Sequence, residues 1–523
     1  MSRVDGEERG IRERPALGDE QTIRERPALG DEQTIGSDFL QLDAAAVPAD
    51  GKSDWLAGRL RRAMADGRLA VGSRLPPTRL LAADLRVSRG VVAEAYRRLT
   101  EDGHVEGRRR AGTVVVAVPP PTASPPLPAS GRPAPGAALF AGEPGTDVFD
   151  LLRATPSRVD FTPGRPDLTA FPRAAWLRAE RSVLADLSAE HLGYGDPRGA
   201  LPLRRAVSGW LARTRGVQVD PEDILIVAGI AQALTLLHPV LRADGIDAVA
   251  VEDPGSLGAR QHLRHASSLA TPPVPVDDEG IRVDALRATG ARAALLTPAH
   301  QFPMGMVTSG ERRRELLRWA RDGGLILEDD YDAEHRYDRP PVPALRALLA
   351  DDHVCYMGSV SKLLAPALRI GWMVPVRRHR DALIDAKRFN DLGNAALPQL
   401  VLARLLESGA LERHLRLLRD RHRRRRDAMT EALAAHLPGA VVHGAAAGLH
   451  LTVTYAADVP DGELAAAALS RGVKCHPLSW HRQLPGRPGL VLGYAATPTA
   501  LIREGVAVLG SALLRGRRTR RWG

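Results

Sequence analysis

Proline density decides how this chain can fold. Val118 to Gly136 reads VPPPTASPPLPASGRPAPG. Proline lacks a backbone N–H and holds φ fixed, so such a run suits neither a helix interior nor a central strand. It favours an extended polyproline II spacer rising about 3.1 Å per residue, or roughly 60 Å at full stretch. The chain is therefore expected to form separate bodies on either side, and 523 residues exceed what one core organises. The expected divisions are a tail over 1–50, a first domain over 51–117, a linker over 118–155, a main domain over 156–515 and a basic tail over 516–523.

Apolar residues make up 44% and charged residues 26%, the balance of a globular protein. No run of 18 apolar residues exists, so no membrane span is expected. The polar, charged N-terminus is not a secretory signal. Cys355 and Cys475 show no framework spacing, which fits a reducing, cytoplasmic setting and no metal site. A net charge of +10 permits nucleic-acid binding. The segment IRERPALGDEQT occupies Ile11–Thr22 and again Ile23–Thr34. Two polar copies are too few for a stacked solenoid, so the segment reads as a disordered tail or a mis-assigned translation start.

After Trp55 a periodic pattern begins. Leu56, Leu60 and Met64 lie four apart and predict a helix ending near Gly67. Thr78 is a natural N-cap for a helix striped by Leu80, Leu81 and Leu85, and Ser88 is a second N-cap. Val91, Val92, Ala95, Tyr96 and Leu99 then predict a buried face, with Arg89, Gly90, Ala93, Glu94, Arg97 and Arg98 opposite. Two helices joined by a short turn, the second with a basic exposed start, form a helix-turn-helix. Val105–Val116 predicts a hairpin around Arg108, Arg109, Arg110 and Gly112, a basic tip suited to DNA phosphates. The order RLPPTRLLAADLRVSRGVVAEAYRRLTEDGHVEG, then RAGTVVV, resembles the GntR-type winged helix. The resemblance implies that Arg79, Ser88, Arg89, Gly90, Arg108, Arg109, Arg110 and Gly112 meet double-stranded operator DNA. Gly90 offers no side chain to a base edge, so the operator sequence is not readable here.

From Val159 apolar runs alternate with helical patterns, which reads as α/β. Strands are expected at Ile224–Val227, Ala248–Val251, Ala293–Leu296, Leu325–Leu327 and Val354–Met357. Ligands in such sheets sit beyond the carboxyl ends of strands. The stretch GSVSK ends at Lys362, one of only four lysines in an arginine-rich chain. A lysine can lose its proton and attack an aldehyde as a Schiff-base nucleophile; a guanidinium effectively cannot. Ser359, Ser361 and Arg369 are good phosphate ligands. The glycine turn before Ala231 and Gln232 opens a helix and presents backbone N–H groups to an anion. Asp329 stands 33 residues before Lys362, about one strand-helix-strand unit, so neighbouring strands can bring both to one pocket. A carboxylate there has several uses, as metal ligand, base, solvated acid or partner of a protonated ring nitrogen.

The stretches DFTPGRPDLTAFP, LGYGDPRGALPLR, VEDPGSLGAR, TPAHQFPMG, LEDDYDAEHRYD, YMGSVSKLLAPALRIGW and GRPGLVLGYAA are similar to fold-type I, pyridoxal-phosphate-dependent aminotransferases. Joined to the winged helix, they resemble the MocR/GabR-like subfamily of transcription regulators. The fold implied is a winged helix, then a mostly parallel central sheet with helices on both faces and a smaller C-terminal α+β lobe. The resemblance assigns Lys362 to the Schiff base of pyridoxal 5′-phosphate, Asp329 to its ring nitrogen and Tyr331 to its phenolic oxygen. Ser359, Ser361, Arg369, Ala231 and Gln232 would hold the phosphate. His300 would lie beside the ring, and Tyr194 would reach a neighbouring subunit of a homodimer. Two positions depart from the aminotransferase pattern. Ser256 falls where relatives often stack an aromatic ring, and Ala496 falls where aminotransferases place an arginine for the substrate carboxylate. Arg482 and Arg487 are the nearby substitutes. The expected function is an effector-sensing regulator whose effector is an amine, an amino acid or the cofactor, with weak or absent transamination. The alternative is a working aminotransferase carrying an appended winged helix.

Overall fold

The computed structural model describes residues 51–65, 69, 71–108, 112–117, 138–265, 269–337, 342–349, 353–456 and 458–521. The repeat-bearing tail, Arg109, Arg110 and the proline run itself lie outside them. The chain divides into two compact units, Met1–Thr122 and Ala123–Gly523.

The first unit is built on α1 (Lys52–Ala65), α2 (Thr78–Asp84) and α3 (Arg89–Glu101). Leu56, Leu60 and Met64 of α1 are buried, as their four-residue spacing requires. Helix α2 differs from expectation at two points. Pro77, not Thr78, is its N-cap and makes no side-chain cap bond. Leu80 is 58% exposed, because a helix this short turns only Leu81 and its neighbour Ala82 inward. Ser88 does cap α3, its hydroxyl accepting from the Val91 N–H at 3.3 Å. Val92, Ala95, Tyr96 and Leu99 are buried, while Val91 is only half-buried. The Tyr96 hydroxyl donates to the Pro76 carbonyl at 2.8 Å and ties α3 to the segment preceding α2. A hairpin follows, β1 (Val105–Arg108) antiparallel to β2 (Gly112–Val115), with Arg108 opposite Gly112.

The second unit opens with α4 (Val148–Ala154) and β3 (Val159–Asp160). Helix α4 falls inside the stretch expected as linker; Val148 and Leu152 are buried in the same core as the C-terminal lobe. After α5 (Leu201–Arg215) comes an eight-stranded sheet. Its strands are β4 (Leu225–Val227), β5 (Val249–Asp253), β6 (Pro273–Asp277), β7 (Gly280–Ile281), β8 (Ala293–Leu296), β9 (Leu325–Asp330), β10 (Val354–Ser359) and β11 (Gly371–Val374). Their spatial order is β4-β11-β10-β9-β8-β5-β6-β7. The run from β10 to β6 is parallel. Strand β11 is antiparallel to both β10 and β4, and β7 is antiparallel to β6. Strands β5, β8 and β10 are buried along their whole length, the mark of a sheet covered on both faces. Helix α6 (Ile230–Ala243) follows β4 and α7 (Arg380–Asp391) follows β11.

The long α8 (Ala410–His436) leads to a smaller lobe. There β12 (Val441–His443), β13 (His450–Thr454), β15 (His476–Pro477) and β16 (Gly489–Gly493) form an antiparallel sheet in the order β12-β13-β16-β15. Strand β14 (Val473–Lys474) pairs with β3. The last helix, α9, runs Thr499–Arg521, so residues 516–521 continue a helix rather than starting a separate tail. Among the described residues, no helix is long and apolar enough to cross a membrane.

Candidate active site

Parallel strands end on one edge of the sheet, and a cleft of about 870 Å³ opens there. Strand β9 delivers Asp329 and then Tyr331; β10 delivers Ser359, then Ser361 and Lys362; the turn after β4 delivers Gly229 and Ala231. All seven line the cleft, as do Arg369, Ser256 and Thr297. Adjacency of β9 and β10 is direct, with Asp329 registered against Met357 and Asp330 against Gly358. The turn carrying Lys362 is anchored by buried Leu363 and Leu364, whose N–H groups both donate to the Val360 carbonyl.

The Lys362 amine donates to the Gly164 carbonyl at 2.6 Å. Gly164 has φ +72°, and a Cβ there would sit 3.0 Å from the amine nitrogen, so glycine keeps that approach open. Burial lowers the lysine's proton affinity, and the charges of Asp332 and Asp329 oppose that shift. The Asp329 carboxyl is pushed up to about 7, first by burial and then by Asp330 and Asp332, with Lys362 acting the other way. Its Oδ1 is buried and has no hydrogen-bond partner among the described residues. An unpartnered buried acceptor facing a cavity is costly, and a protonated ring nitrogen satisfies it. At the opposite need, the first intrahelical bond of α6 runs from Ala233 N–H to the Gly229 carbonyl. The earlier N–H groups are left for an anion, beside the guanidinium of Arg369 and two serine hydroxyls. The residues present therefore fit a phosphorylated pyridine aldehyde.

The side chains of three expected residues do not line this cleft. Gln232 is absent from the cleft wall; its amide donates to Asn390 at 2.8 Å and Asp391 at 2.7 Å, and its oxygen accepts from Ala228 N–H. His300 lies behind Tyr331, with Nδ1 3.0 Å from the phenol oxygen and 3.0 and 3.1 Å from the two Asp332 oxygens. Gly448 makes room for that imidazole, since a Cβ there would fall 2.1 Å from His300 Cε1. Tyr194 is 95% exposed and outside the cleft. Of the positions that depart from the pattern, Ser256 lines the cleft and Ala496 does not. Arg482 and Arg487 line a different hollow, where Arg482 donates to the Arg487 carbonyl. Neither replaces a carboxylate grip at Lys362.

Sequence reasoning missed the supports. Asp332 holds His300, and a buried ion pair joins Arg215 at the end of α5 to Asp330, which also accepts from Tyr356 at 2.6 Å. Glu252 accepts from the Thr297 hydroxyl at 2.6 Å, with burial raising it to about 7. Acidic residues next to Asp329 were visible, but only the fold shows which of them have cationic partners. In the first unit Arg79, Ser88, Arg89 and Gly90 are exposed and Gly112, at φ +70°, opens β2. Arg108 ends β1. Arg97 and Arg98 pair with Glu94 and so are partly neutralised.

Residues 159–506 match the family described as aminotransferase class I and II, and residues 52–115 match the gntR family of bacterial regulatory proteins. The chain is 33% identical to the probable rhizopine catabolism regulatory protein MocR of Rhizobium meliloti, over 87% of this chain and 92% of that one. It is 29% identical to the pyridoxine biosynthesis transcriptional regulator PdxR of Corynebacterium glutamicum, over 88% and 96%. A crystal structure of kynurenine aminotransferase from Pyrococcus horikoshii matches with a TM-score of 0.64 and 28% identity, covering 71% of this chain and 93% of that one.

Proposed function

The chain belongs to the MocR/GabR-like group, in which a gntR-family regulatory domain is fused to an aminotransferase class I and II domain, and we propose that it regulates transcription by sensing an amine, an amino acid or the cofactor itself through a domain that binds pyridoxal 5′-phosphate. The observation that carries this reading is the pairing of Lys362 with Asp329 across one cleft: an amine depressed by burial, and an acid with an orphaned oxygen. When bound, the cofactor supplies an aldehyde that condenses with primary amines. Lys362 is the chain's own amine for that aldehyde. Asp329 accepts the ring N–H, and Tyr331 donates its hydroxyl hydrogen to the ring oxygen. Asp332 can only accept, so it keeps a hydrogen on His300 Nδ1. That imidazole then donates rather than accepts, which leaves Asp332 and the cleft as the two directions open to the Tyr331 hydrogen. Ser359, Ser361, Arg369 and the α6 N-terminus hold the phosphate.

The first unit reads an operator through Arg79, Arg89 and the hairpin tip. Effector binding biases the protein between two states of different operator affinity. Amines, amino acids and the cofactor are the effector classes. PdxR, named for pyridoxine biosynthesis, supports keeping the cofactor among them. A homodimer is part of this reading. Tyr194, Phe389 and Leu392 are exposed, and large apolar side chains left in solvent suit burial by a second subunit.

The test is direct. Purified full-length protein should carry the cofactor's visible absorbance, lose it on borohydride reduction, and retain the label on Lys362. It should retard its own upstream DNA differently with and without the cofactor. A colourless protein that cannot be loaded with the cofactor refutes the reading.

A further inference from the structure

One wall of the cleft is an imidazole pair. His476 and His481 both line it, are nearly fully buried, and stack with ring centres 5.6 Å apart at 18°. Phe302 meets His481 edge-on at 5.1 Å, and Phe149 lies 5.5 Å from His476. One hydrogen-bond assignment runs through both rings. Leu257 N–H donates to His481 Nδ1 at 3.4 Å. With that nitrogen as the acceptor, the ring hydrogen sits on Nε2. His481 Nε2 lies 3.4 Å from His476 Nδ1 and donates to it. His476 then carries its own hydrogen on Nε2, a buried atom with no partner among the described residues. Both rings are neutral at physiological pH: burial lowers His476 to about 3 and His481 well below the ordinary imidazole range. On that assignment the pair keeps one uncharged, unpartnered N–H packed among apolar rings at the cleft wall.

Cations are committed elsewhere. Of the guanidinium groups lining the cleft among the described residues, Arg165 pairs with Asp160 and Arg153 with Asp150. Arg369 stands at the phosphate end. The Lys474 amine is 3.7 Å from Asp160. A carboxylate placed against this wall would lose its hydration and would have to compete with Asp160 and Asp150 for the cleft's guanidinium groups, while Arg260, whose charge acts on His481, does not line the cleft.

We infer that His476 Nε2–H is the recognition donor for the far end of the effector, and that the effector is a primary amine ending in an uncharged hydrogen-bond acceptor on an apolar frame. This rests on the reading of Lys362 as the cofactor-bearing residue. The test uses cofactor-loaded full-length protein and three amines of matched length, ending in a hydroxyl or ether, a methyl group or a carboxylate. Binding is followed by the change in the visible band and by calorimetry. The acceptor-ended amine should bind about five- to tenfold tighter than the methyl-ended one, the worth of one neutral hydrogen bond. His476→Phe should erase that preference and His476→Asn, which keeps a donor, should restore part of it. Should His476→Phe fail to fold, His481→Phe serves instead: it unlocks the His476 tautomer and should narrow the preference. Tightest binding of the carboxylate-ended amine, or an unchanged ranking in the variants, overturns the inference while the visible band leaves the cofactor reading standing. Absence of any band overturns both.

Discussion

At Asp329 the fold holds a carboxyl group in a place that disfavours its charge. Its raised value of about 7 means the folded, cofactor-free protein keeps a proton that the unfolded chain has already released. Stability of the cofactor-free form should therefore fall as pH rises from about 4 to about 7, since the unfolded chain then binds fewer protons. Asp329→Asn removes the buried charge. We expect the cofactor-free variant to melt higher than wild type at pH 8, with the gap closing toward pH 4, and to bind the cofactor at least tenfold more weakly. Thermal melts across pH and cofactor titration check both halves; a gap that widens toward pH 4 contradicts the sign. Lys362→Ala should leave no borohydride-fixed label and should retain operator binding, because its loss touches only the cleft.

At the scale of elements, the buried Arg215–Asp330 pair matters most. It joins the C-terminal end of α5 to the strand that carries Asp329, with Tyr356 of β10 on the same oxygen. Both side chains are nearly inaccessible to solvent. Breaking such a pair from one side strands a charge and costs about 3–5 kcal/mol. Arg215→Met should lower the denaturation midpoint accordingly, and adding Asp330→Asn should recover part of the loss. In the first unit, Ser88→Ala removes the cap of α3 and should cost about 1 kcal/mol. Faster hydrogen exchange in the first turn of α3 is the measurement.

For the molecule as a whole, the sensing and DNA-reading parts make separable contributions. Phosphate contacts release counterions, so operator affinity should fall with salt. Neutralising Arg79 or Arg89 should reduce the slope of log affinity against log salt by about 1 each. Lys362→Ala should leave that slope unchanged and abolish the effector response. Fluorescence anisotropy on the upstream DNA at several salt concentrations separates the two.

The two-part layout, the helix-turn-helix and the strand ends carrying Asp329 and Lys362 were all legible in the chain, because proline chemistry, helical spacing and apolar runs act locally. Leu80 was misjudged for the opposite reason: its burial depends on how few turns α2 makes against the rest of the unit. Gln232 sits in the right turn, yet its side chain is drawn away by Asn390 and Asp391, more than 150 residues later. His300 backs Tyr331 because Asp332 accepts from it, and the neutral His476–His481 pair exists because β15 carries His476 and the turn after it, Leu478–His481, folds His481 back against it. Spacing along a chain fixes which residues can arrive at a strand end. Hydrogen-bond partners, burial and protonation are set by what the remaining chain packs around them, and only the tertiary structure decided those.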